Sequence, residues 1–229
     1  MMKLIKVLLS IIIVAGLTLT TLGYIEYRSA LVEISLEDKI AQIQSKESYV
    51  QIEDVSDYLI KATVTTEDQR FYEHNGIDWM AYGRIALMLI KTGELTGGGS
   101  TITQQLAKNL YFGFEPSLIR KVAEIFMMFD IEKNYDKDEI LEIYINIINY
   151  GDNYMGIYQA SEGYFYKHPS ELNFNEATLV AGIPQSPSNF QLSNNSENAY
   201  KRQKWVIQTL IDTNTFTQEE VEQFMNSNY

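Results

Sequence analysis

The start of the chain is apolar, whereas the rest alternates apolar and polar positions with a helical period. Residues 7–25 run for 19 positions without a charge. As a helix they would be about 28 Å long, close to the ~30 Å hydrocarbon core of a bilayer. Lys3 and Lys6 precede this run and Glu26 follows it, which favours a cytoplasmic N-terminus. We therefore predict a cytoplasmic stub and transmembrane anchor over residues 1–25, with the remainder outside the cytoplasm.

A cleaved signal peptide is the alternative interpretation of this segment. The apolar run is long for a signal peptide, and its best small-residue cleavage site is a weak match at Thr21 and Gly23. The pattern therefore favours an uncleaved anchor.

After the anchor, a polar and charged stretch precedes the main domain. Residues 26–48 carry four apolar side chains at helical spacing, Leu31, Ile34, Ile40 and Ile43. We interpret 26–48 as a helical stalk or linker and residues 49–229 as one folded domain, which is an ordinary domain length.

The pattern within 49–229 is helical almost throughout. One apolar stripe is formed by Ile140, Leu141, Tyr144, Ile145 and Ile148, the spacing of a packed helix. Asn173 and Glu176 form an N-terminal capping pattern for a helix that ends near Gly182 and Pro184, and residues 199–213 form another amphipathic helix. Loops are predicted at 93–99, 149–156 and 185–198. No segment alternates long enough for a sheet and there is no internal repeat, so the fold class is mainly α.

Composition argues against some classes of partner and excludes some kinds of site. The formal net charge is −12, which argues against nucleic acid as a partner, because such binding depends on Lys and Arg meeting phosphates. There are no cysteines, which excludes disulfides and thiolate metal sites. An acidic protein that handles an anion must gather its few cations locally.

The first stretch with candidate chemistry is "TTEDQRFYEHNGID", residues 65–78. If 65–74 were one helix, Glu67, Phe71 and His74 would share a face, and burial beside aromatics would raise a carboxylate pKa towards that of a general base. The plain alternative is that the two acids favour a first helical turn and that His74 caps a C-terminus.

The second stretch is "TGGGSTITQQLAKN", residues 96–109. A capping box is predicted at Thr101 and Gln104, and Thr101, Gln105, Lys108 and Asn109 would follow one helix face. Glycines before a helix N-terminus expose N–H groups to an anion, and Lys108 adds a charge. The alternative interpretation is a flexible loop followed by a polar helix face. The stretch does not match a Walker loop, because no Gly-Lys-Ser/Thr follows the glycines.

The third stretch is "IRKVAEIF", in which Arg120 and Glu124 are four residues apart. Alone, such a pair is most often a surface ion pair worth about 0.3–0.5 kcal/mol. The cluster Lys201, Arg202 and Lys204 is interpreted as a solvated face, and His168 is given no role.

In this order the stretches closely resemble the glycosyltransferase family 51 domain, the peptidoglycan glycosyltransferases that polymerise lipid II. The matching segments are "TEDQRFYEHNGID", "GGGSTITQQLAKN", "RKVAE", "KDEILEIYINIINYG" and the weaker "YKRQKWVIQTL". The likeness covers about 49–220, and because no transpeptidase domain follows, the expected form is the monofunctional one. Two departures are a last motif poorer in arginine and a missing proline near Leu192.

The resemblance implies a lysozyme-like helical lobe and a smaller, flexible, membrane-proximal lobe within about 84–120. "IALMLIK" and "LYFGF" would suit a membrane interface, or they could be core residues. It also implies a bacterial cell-membrane protein with a single span, lipid II and the growing lipid-linked glycan as substrates, and wall-synthesis proteins as potential partners.

By the same resemblance Glu67 is the general base, Glu124 is a second essential acid, and Lys108 with Arg120 stabilise the pyrophosphate during an inverting transfer. The remaining expected substrate-binding residues are Asp68, Phe71, His74, Ser100, Thr101, Gln105 and Asn109. For Asp68 and His74 the alternative is that they hold the first stretch in shape. No organic cofactor is expected and the sequence carries no metal-ligand cluster, although Mg or Mn could accompany the pyrophosphate.

Two rival functions are open at this point. A membrane-bound lysozyme or lytic transglycosylase also pairs acids in an α-rich fold, but it has no need of a glycine loop with Lys108 and Arg120. A scaffold protein that has lost catalysis would show damaged acids or cations, and the sequence shows none.

Overall fold

The N-terminal apolar segment forms one continuous helix that extends beyond the predicted anchor. In the computed structural model, which describes residues 2–93, 99–113 and 116–226, helix α1 spans Met2–Glu33. Within those ranges it is the one helix long and apolar enough to cross a membrane. Residues 26–33, predicted to belong to the stalk, continue α1 instead.

Eleven further helices follow in the described ranges, joined by short 3-10 segments. They are α2 (Leu36–Gln44), α3 (Asp57–Glu67), α4 (Trp79–Thr92), α5 (Ile102–Ala107), α6 (Leu118–Asn134), α7 (Lys137–Ile147), α8 (Ile157–Phe165), α9 (Phe174–Ala181), α10 (Pro187–Phe190), α11 (Leu192–Asp212) and α12 (Gln218–Asn226). No strand occurs in this part of the chain, where Asn149 and Met155 form an isolated antiparallel bridge. The prediction of a mainly α fold is confirmed.

Helix α2 packs on the domain although its sequence was interpreted as part of a stalk. Ser35 caps it by accepting a hydrogen bond from the Asp38 N–H at 3.0 Å. Leu36, Ile40 and Ile43 are buried in the main hydrophobic core, and α2 contacts α7. The division of the chain at residue 48 stays a prediction.

The core is built around α5 and α7, because most residues of both helices are buried. In α7 the predicted stripe Ile140, Leu141, Tyr144, Ile145 and Ile148 is buried. Helix α5 packs against α6 and α7, while α3 packs against α9 and α11. The predicted capping box at Asn173 and Glu176 is present at the start of α9. These contacts give α5, which carries several candidate site residues, a rigid setting.

Helix α4 is 14 residues long, and none of its residues is buried. Its exposed apolar side chains include Trp79, Met80, Leu87 and Ile90, and Ile90 is 80% exposed. The core alternative for "IALMLIK" is therefore not supported. Phe114 of "LYFGF", Gly97 and Gly98 of the glycine stretch, and most of the predicted 93–99 loop lie outside the described residues. The division into a lysozyme-like lobe and a smaller flexible lobe stays a prediction.

Two local predictions are wrong. The chain is not helical from 65 to 74, because α3 ends at Glu67 and Asp68 leaves the helix with φ −157° and ψ 75°. The predicted loop at 185–198 is largely helical, since it contains α10 and the start of α11. With no proline near Leu192, α11 begins there and bends at Asn195, whose φ of −133° is not helical.

Candidate active site

Glu67 lies at the C-terminal end of α3, where the helix stops against α5. Its Oε2 accepts a hydrogen bond from Nε2 of Gln105 at 2.8 Å, whereas its Oε1 is buried with no hydrogen-bond partner. Burial raises the pKa of the Glu67 carboxyl, and the Gln105 hydrogen bond and the charges of Arg202 and Lys108 oppose that rise. Such a group is suited to accept a proton.

Gln105 is held on both sides of its amide. Besides donating to Glu67, it accepts a hydrogen bond from the hydroxyl of Tyr144 at 3.2 Å, and Tyr144 is completely buried. The predicted capping box at Thr101 and Gln104 starts α5. At Lys108 the helix widens into a π-helical turn over Lys108–Phe112, a feature often found at functional sites.

Asp68, His74 and Thr101 tie the first sequence stretch to the start of α5. Asp68 accepts hydrogen bonds from the Ile102 N–H at 3.1 Å and from His74 Nε2 at 2.8 Å. The Thr101 hydroxyl donates to the Gly76 carbonyl at 2.7 Å. Asp68 and Thr101 are 6% and 2% exposed. These three residues, expected to bind substrate, therefore lie in the structure as internal braces.

Phe71 is also a core residue rather than a substrate contact. It is completely buried, and the ammonium of Lys137 lies 4.4 Å from its ring centroid. Because α3 ends before it, Phe71 does not share a helix face with Glu67 as the sequence suggested.

Asp68, His74 and Asp78 bring three potential metal ligands close together in the described part of the chain. Most of their oxygens and nitrogens are already engaged, although Nδ1 of His74 is buried without a hydrogen-bond partner. His74 bonds to Asp68, and the Arg70 guanidinium pairs with Asp78, whose carboxylate also accepts from the Ala81 N–H at 2.8 Å. A cation would have to displace these partners, so the cluster fits a structural role.

Helix α6 carries a buried acid between two cations. Glu124 is 1% exposed, and its oxygens accept from Nε of Arg120 at 3.0 Å and from Nζ of Lys121 at 2.8 Å. Lys121 also donates to the Ser100 hydroxyl at 3.3 Å. The alternative of an ordinary surface ion pair is therefore wrong for Arg120 and Glu124. Lys121 was missed, although its position three residues before Glu124 was a usable signal.

Lys108 interacts electrostatically both with the charged residues of α6 and with Glu67. Burial lowers the pKa of the Lys108 ammonium, the charges of Glu124 and Glu67 raise it, and those of Lys121 and Arg120 lower it. Glu67, Ser100, Gln105, Lys108 and Lys121 line one cleft of about 450 Å³. Arg120 and Glu124 stand behind Lys121 in the next layer, and Nη1 of Arg120 is buried with no hydrogen-bond partner. The predicted acids and cations thus lie together.

A second hollow of about 400 Å³ adjoins the first. Gln105 and Lys108 line both, and the second adds Asn109 and Ile148. Pro184 and Gln185, which follow α9, also line both hollows. The amide of Asn109 donates to the Gln105 carbonyl at 2.8 Å. Glu67 therefore stands on one side of a divided cleft, with Gln105 and Lys108 at its middle.

Arg202 closes the cleft beside Glu67 and was wrongly assigned to a solvated face. Its guanidinium carbon lies 3.9 Å from the centroid of the Trp205 ring, and both residues line the cleft. Lys201 fits the prediction, because it is exposed and pairs with exposed Glu197 at 2.7 Å. The sequence does carry a signal for Arg202, because the residue four positions later, Val206, is apolar. In the structure Val206 is buried and marks the inward face of α11.

Comparison with known proteins assigns the chain to a family. A family model described as "Transglycosylase" matches residues 36–211. Penicillin-binding protein 1A of Aquifex aeolicus (strain VF5) is 38% identical over 181 residues, which is 79% of this chain and 25% of that protein. Penicillin-binding protein 1A of Escherichia coli (strain K12) is 37% identical over 184 residues, covering 79% and 22%. Penicillin-binding protein 2D of Bacillus subtilis (strain 168) is 39% identical over 180 residues, covering 79% and 26%.

The chain spans about a quarter of the length of these relatives. The matched region begins at Leu36, at the start of α2, and ends within α11, so it contains every residue of the divided cleft. The chain therefore belongs to the transglycosylase family, and the family resemblance found in its sequence is confirmed.

Proposed function

We propose that the chain polymerises lipid II into linear glycan strands by an inverting transfer and releases undecaprenyl pyrophosphate. The donor is the growing lipid-linked glycan and the acceptor is lipid II. The observation that carries the proposal is the cleft itself, a space of about 450 Å³ that Glu67, Lys108 and Lys121 line together. A base and preorganised cations are what this reaction requires.

Glu67 is the general base of this proposal. The 4-hydroxyl oxygen of the acceptor sugar attacks the anomeric carbon of the donor, and its proton passes to a Glu67 oxygen. The bond from the anomeric carbon to the pyrophosphate oxygen breaks on the opposite face, which inverts the configuration. Burial raises the Glu67 pKa, so the carboxylate is a stronger base than an exposed one, and its Oε1 has no competing partner.

The cations stabilise the leaving pyrophosphate. Lys108 and Lys121 line the cleft, and Arg120 stands behind them with a buried, unpartnered Nη1. Fixed cations act strongly on charge that develops in the transition state. Glu124 is the second essential acid and acts here by orienting Arg120 and Lys121, to which it is hydrogen-bonded. Ser100, Gln105 and Asn109, which line the two hollows, contact sugar or phosphate in this proposal.

A divalent cation would enter this cleft with the substrate rather than on a protein ligand set. Both oxygens of Glu124, which stands behind the cleft, are engaged by cationic side chains, and among the described residues Glu67 is the acid that lines the cleft. Mg or Mn would therefore bind mainly to pyrophosphate oxygens, and the protein residues would supply the remaining charge neutralisation.

The membrane arrangement completes the proposal. Helix α1 would span a bacterial cell membrane once, with a cytoplasmic N-terminus and the catalytic domain outside, because Lys3 and Lys6 flank its start. Helix α4, which has no buried residue, would place exposed Trp79 and Ile90 at the bilayer surface where lipid II resides. Wall-synthesis proteins are proposed partners.

The test is incubation of the full chain in liposomes with lipid II, followed by sizing of the products on a gel. We expect long glycan strands whose formation a moenomycin-type inhibitor blocks. Shortened chains or anhydro-sugars from intact cell wall, with no polymer from lipid II, would indicate the hydrolase instead. Binding of lipid II without any product would indicate the inactive scaffold.

A further inference from the structure

Helix α1 does more than anchor the domain, because its C-terminal part lies directly along α6. The two helices form an extended contact. The Tyr24 ring meets Phe126 edge to face with 5.3 Å between centroids, and the Tyr27 ring lies 5.8 Å from the same ring. The Tyr27 hydroxyl donates a hydrogen bond to the Asp130 carboxylate. A flexible tether would make none of these contacts.

Gly23 is the point of closest approach between these helices. A Cβ built there would lie 2.5 Å from Cγ1 of Val122 and 3.1 Å from the backbone oxygen of Ile119. Real Cβ atoms essentially never come so near, so any side chain would force the helices apart. Gly16, seven residues earlier in α1, has nothing within 4 Å of its Cβ position. The two glycines thus differ in the contact they allow.

The contact lies on the face of α6 opposite the active site. Ile119, Val122, Phe126 and Asp130 follow one stripe of that helix at intervals of three and four residues. Arg120, Lys121 and Glu124 point away from the stripe, towards the cleft and the core. Val122 is the immediate neighbour of Lys121, so a displacement at Val122 moves the backbone that carries the cations.

We propose that α1 is a positioning element of the active site, an inference that rests on the proposed function. Packing of Gly23 against Val122, secured by the hydrogen bond from Tyr27 to Asp130, sets where α6 holds Arg120, Lys121 and Glu124 relative to Lys108. None of these contact residues lines the divided cleft. A displacement of about 1 Å at catalytic groups can lower a rate by about 100-fold, so the membrane segment influences pyrophosphate capture.

The test compares full-length Gly23→Ala with Gly16→Ala in liposomes. We expect Gly23→Ala to lower kcat/KM for lipid II by about tenfold or more and to weaken binding of undecaprenyl pyrophosphate. The pH profile of kcat, set by Glu67 outside α6, should stay in place, and Gly16→Ala should match the wild type. A general loss of folding would lower the fraction of active enzyme. It would not weaken pyrophosphate binding by the folded fraction while leaving the pH profile of kcat in place.

A second variant keeps the proposal testable if Gly23→Ala does not fold. Tyr27→Phe removes only the hydroxyl that bonds to Asp130, and Tyr24→Phe is its matched control on the same helix. We expect weaker pyrophosphate binding for Tyr27→Phe alone. Equal behaviour of the members of each pair, in a wild type that polymerises lipid II, would overturn the inference. A wild type that forms no polymer would instead overturn the proposed function.

Discussion

The side-chain amide of Gln105 donates a hydrogen bond to Oε2 of Glu67 over 2.8 Å, joining residues 38 positions apart in the sequence. This bond leaves Oε1 of Glu67 without a partner. One oxygen of the carboxylate is therefore held while the other is available to a proton. The pairing also explains why two sequence stretches act together, since the base on α3 is oriented by a residue of α5, which is itself fixed by Tyr144.

The first prediction concerns the pH dependence of catalysis. The Gln105 hydrogen bond lowers the pKa of Glu67 against the rise caused by burial. Removing it by Gln105→Ala should raise that pKa further. Because the base works as the carboxylate, the acid limb of the kcat/KM profile should then move to higher pH. Gln208→Ala, which removes an exposed amide bonded to Asp212, is the control. An unmoved acid limb in Gln105→Ala would argue against Glu67 as the titrating base.

The second prediction concerns stability against pH. Since the Glu67 pKa is raised in the folded state, its stabilising contribution is present at acidic pH and is lost as pH rises through the raised pKa. Glu67→Gln removes the charge and should raise the free energy of unfolding at pH 8, by about 1 kcal/mol. The gain should vanish near pH 4. Urea unfolding at both pH values measures this, with exposed Glu53→Gln as the control. A gain that persisted at pH 4 would contradict it.

The third prediction separates a buried ion pair from an exposed one. Glu124→Ala leaves Arg120 and Lys121 without their buried carboxylate, and we expect it to lower the free energy of unfolding by about 3–5 kcal/mol. Glu197→Ala breaks the exposed pair with Lys201 and should change the free energy of unfolding far less, because water and salt screen an exposed pair. Chemical denaturation of both variants gives the comparison. Similar losses of unfolding free energy in the two variants would mean that Glu124 does not hold Arg120 and Lys121 in place.

The fourth prediction concerns capture of the pyrophosphate. Lys108→Ala should weaken binding of undecaprenyl pyrophosphate by about 10–100-fold, the range expected for one hydrogen bond to a charged group. Lys201→Ala removes an equal charge from an exposed position of α11 and should leave binding nearly unchanged. Titration of each variant in detergent micelles provides the measurement. Equal effects would remove Lys108 from the anion site.

Local patterns could be predicted from the sequence because they depend on neighbours along the chain. The stripe of α7 and the capping boxes at Thr101 and Asn173 are such cases. The end of α3 at Glu67 was not predicted. The helix stops there because the carboxylate of the next residue, Asp68, accepts hydrogen bonds from the Ile102 N–H and from His74. That interaction depends on the tertiary fold, which helical periodicity does not report.

The missed site residues have the same explanation. Arg202 resembled Lys201 in sequence, yet the packing of α11 turns Arg202 towards Glu67 and Lys201 towards solvent. Asp68, Phe71 and Thr101 were expected among the substrate-binding residues, and in the structure they are buried. A sequence motif marks residues that matter for the site without separating those that contact substrate from those that hold the site in shape.

The central claim is that Glu67 removes the proton from the attacking hydroxyl while the cations hold the pyrophosphate. The most direct measurement is the single-turnover rate of glycosidic bond formation in Glu67→Gln and wild type, with lipid II binding measured in parallel. We expect the variant to bind lipid II as the wild type does and to form the bond at least about 100-fold more slowly. Near-normal bond formation by Glu67→Gln would contradict the account.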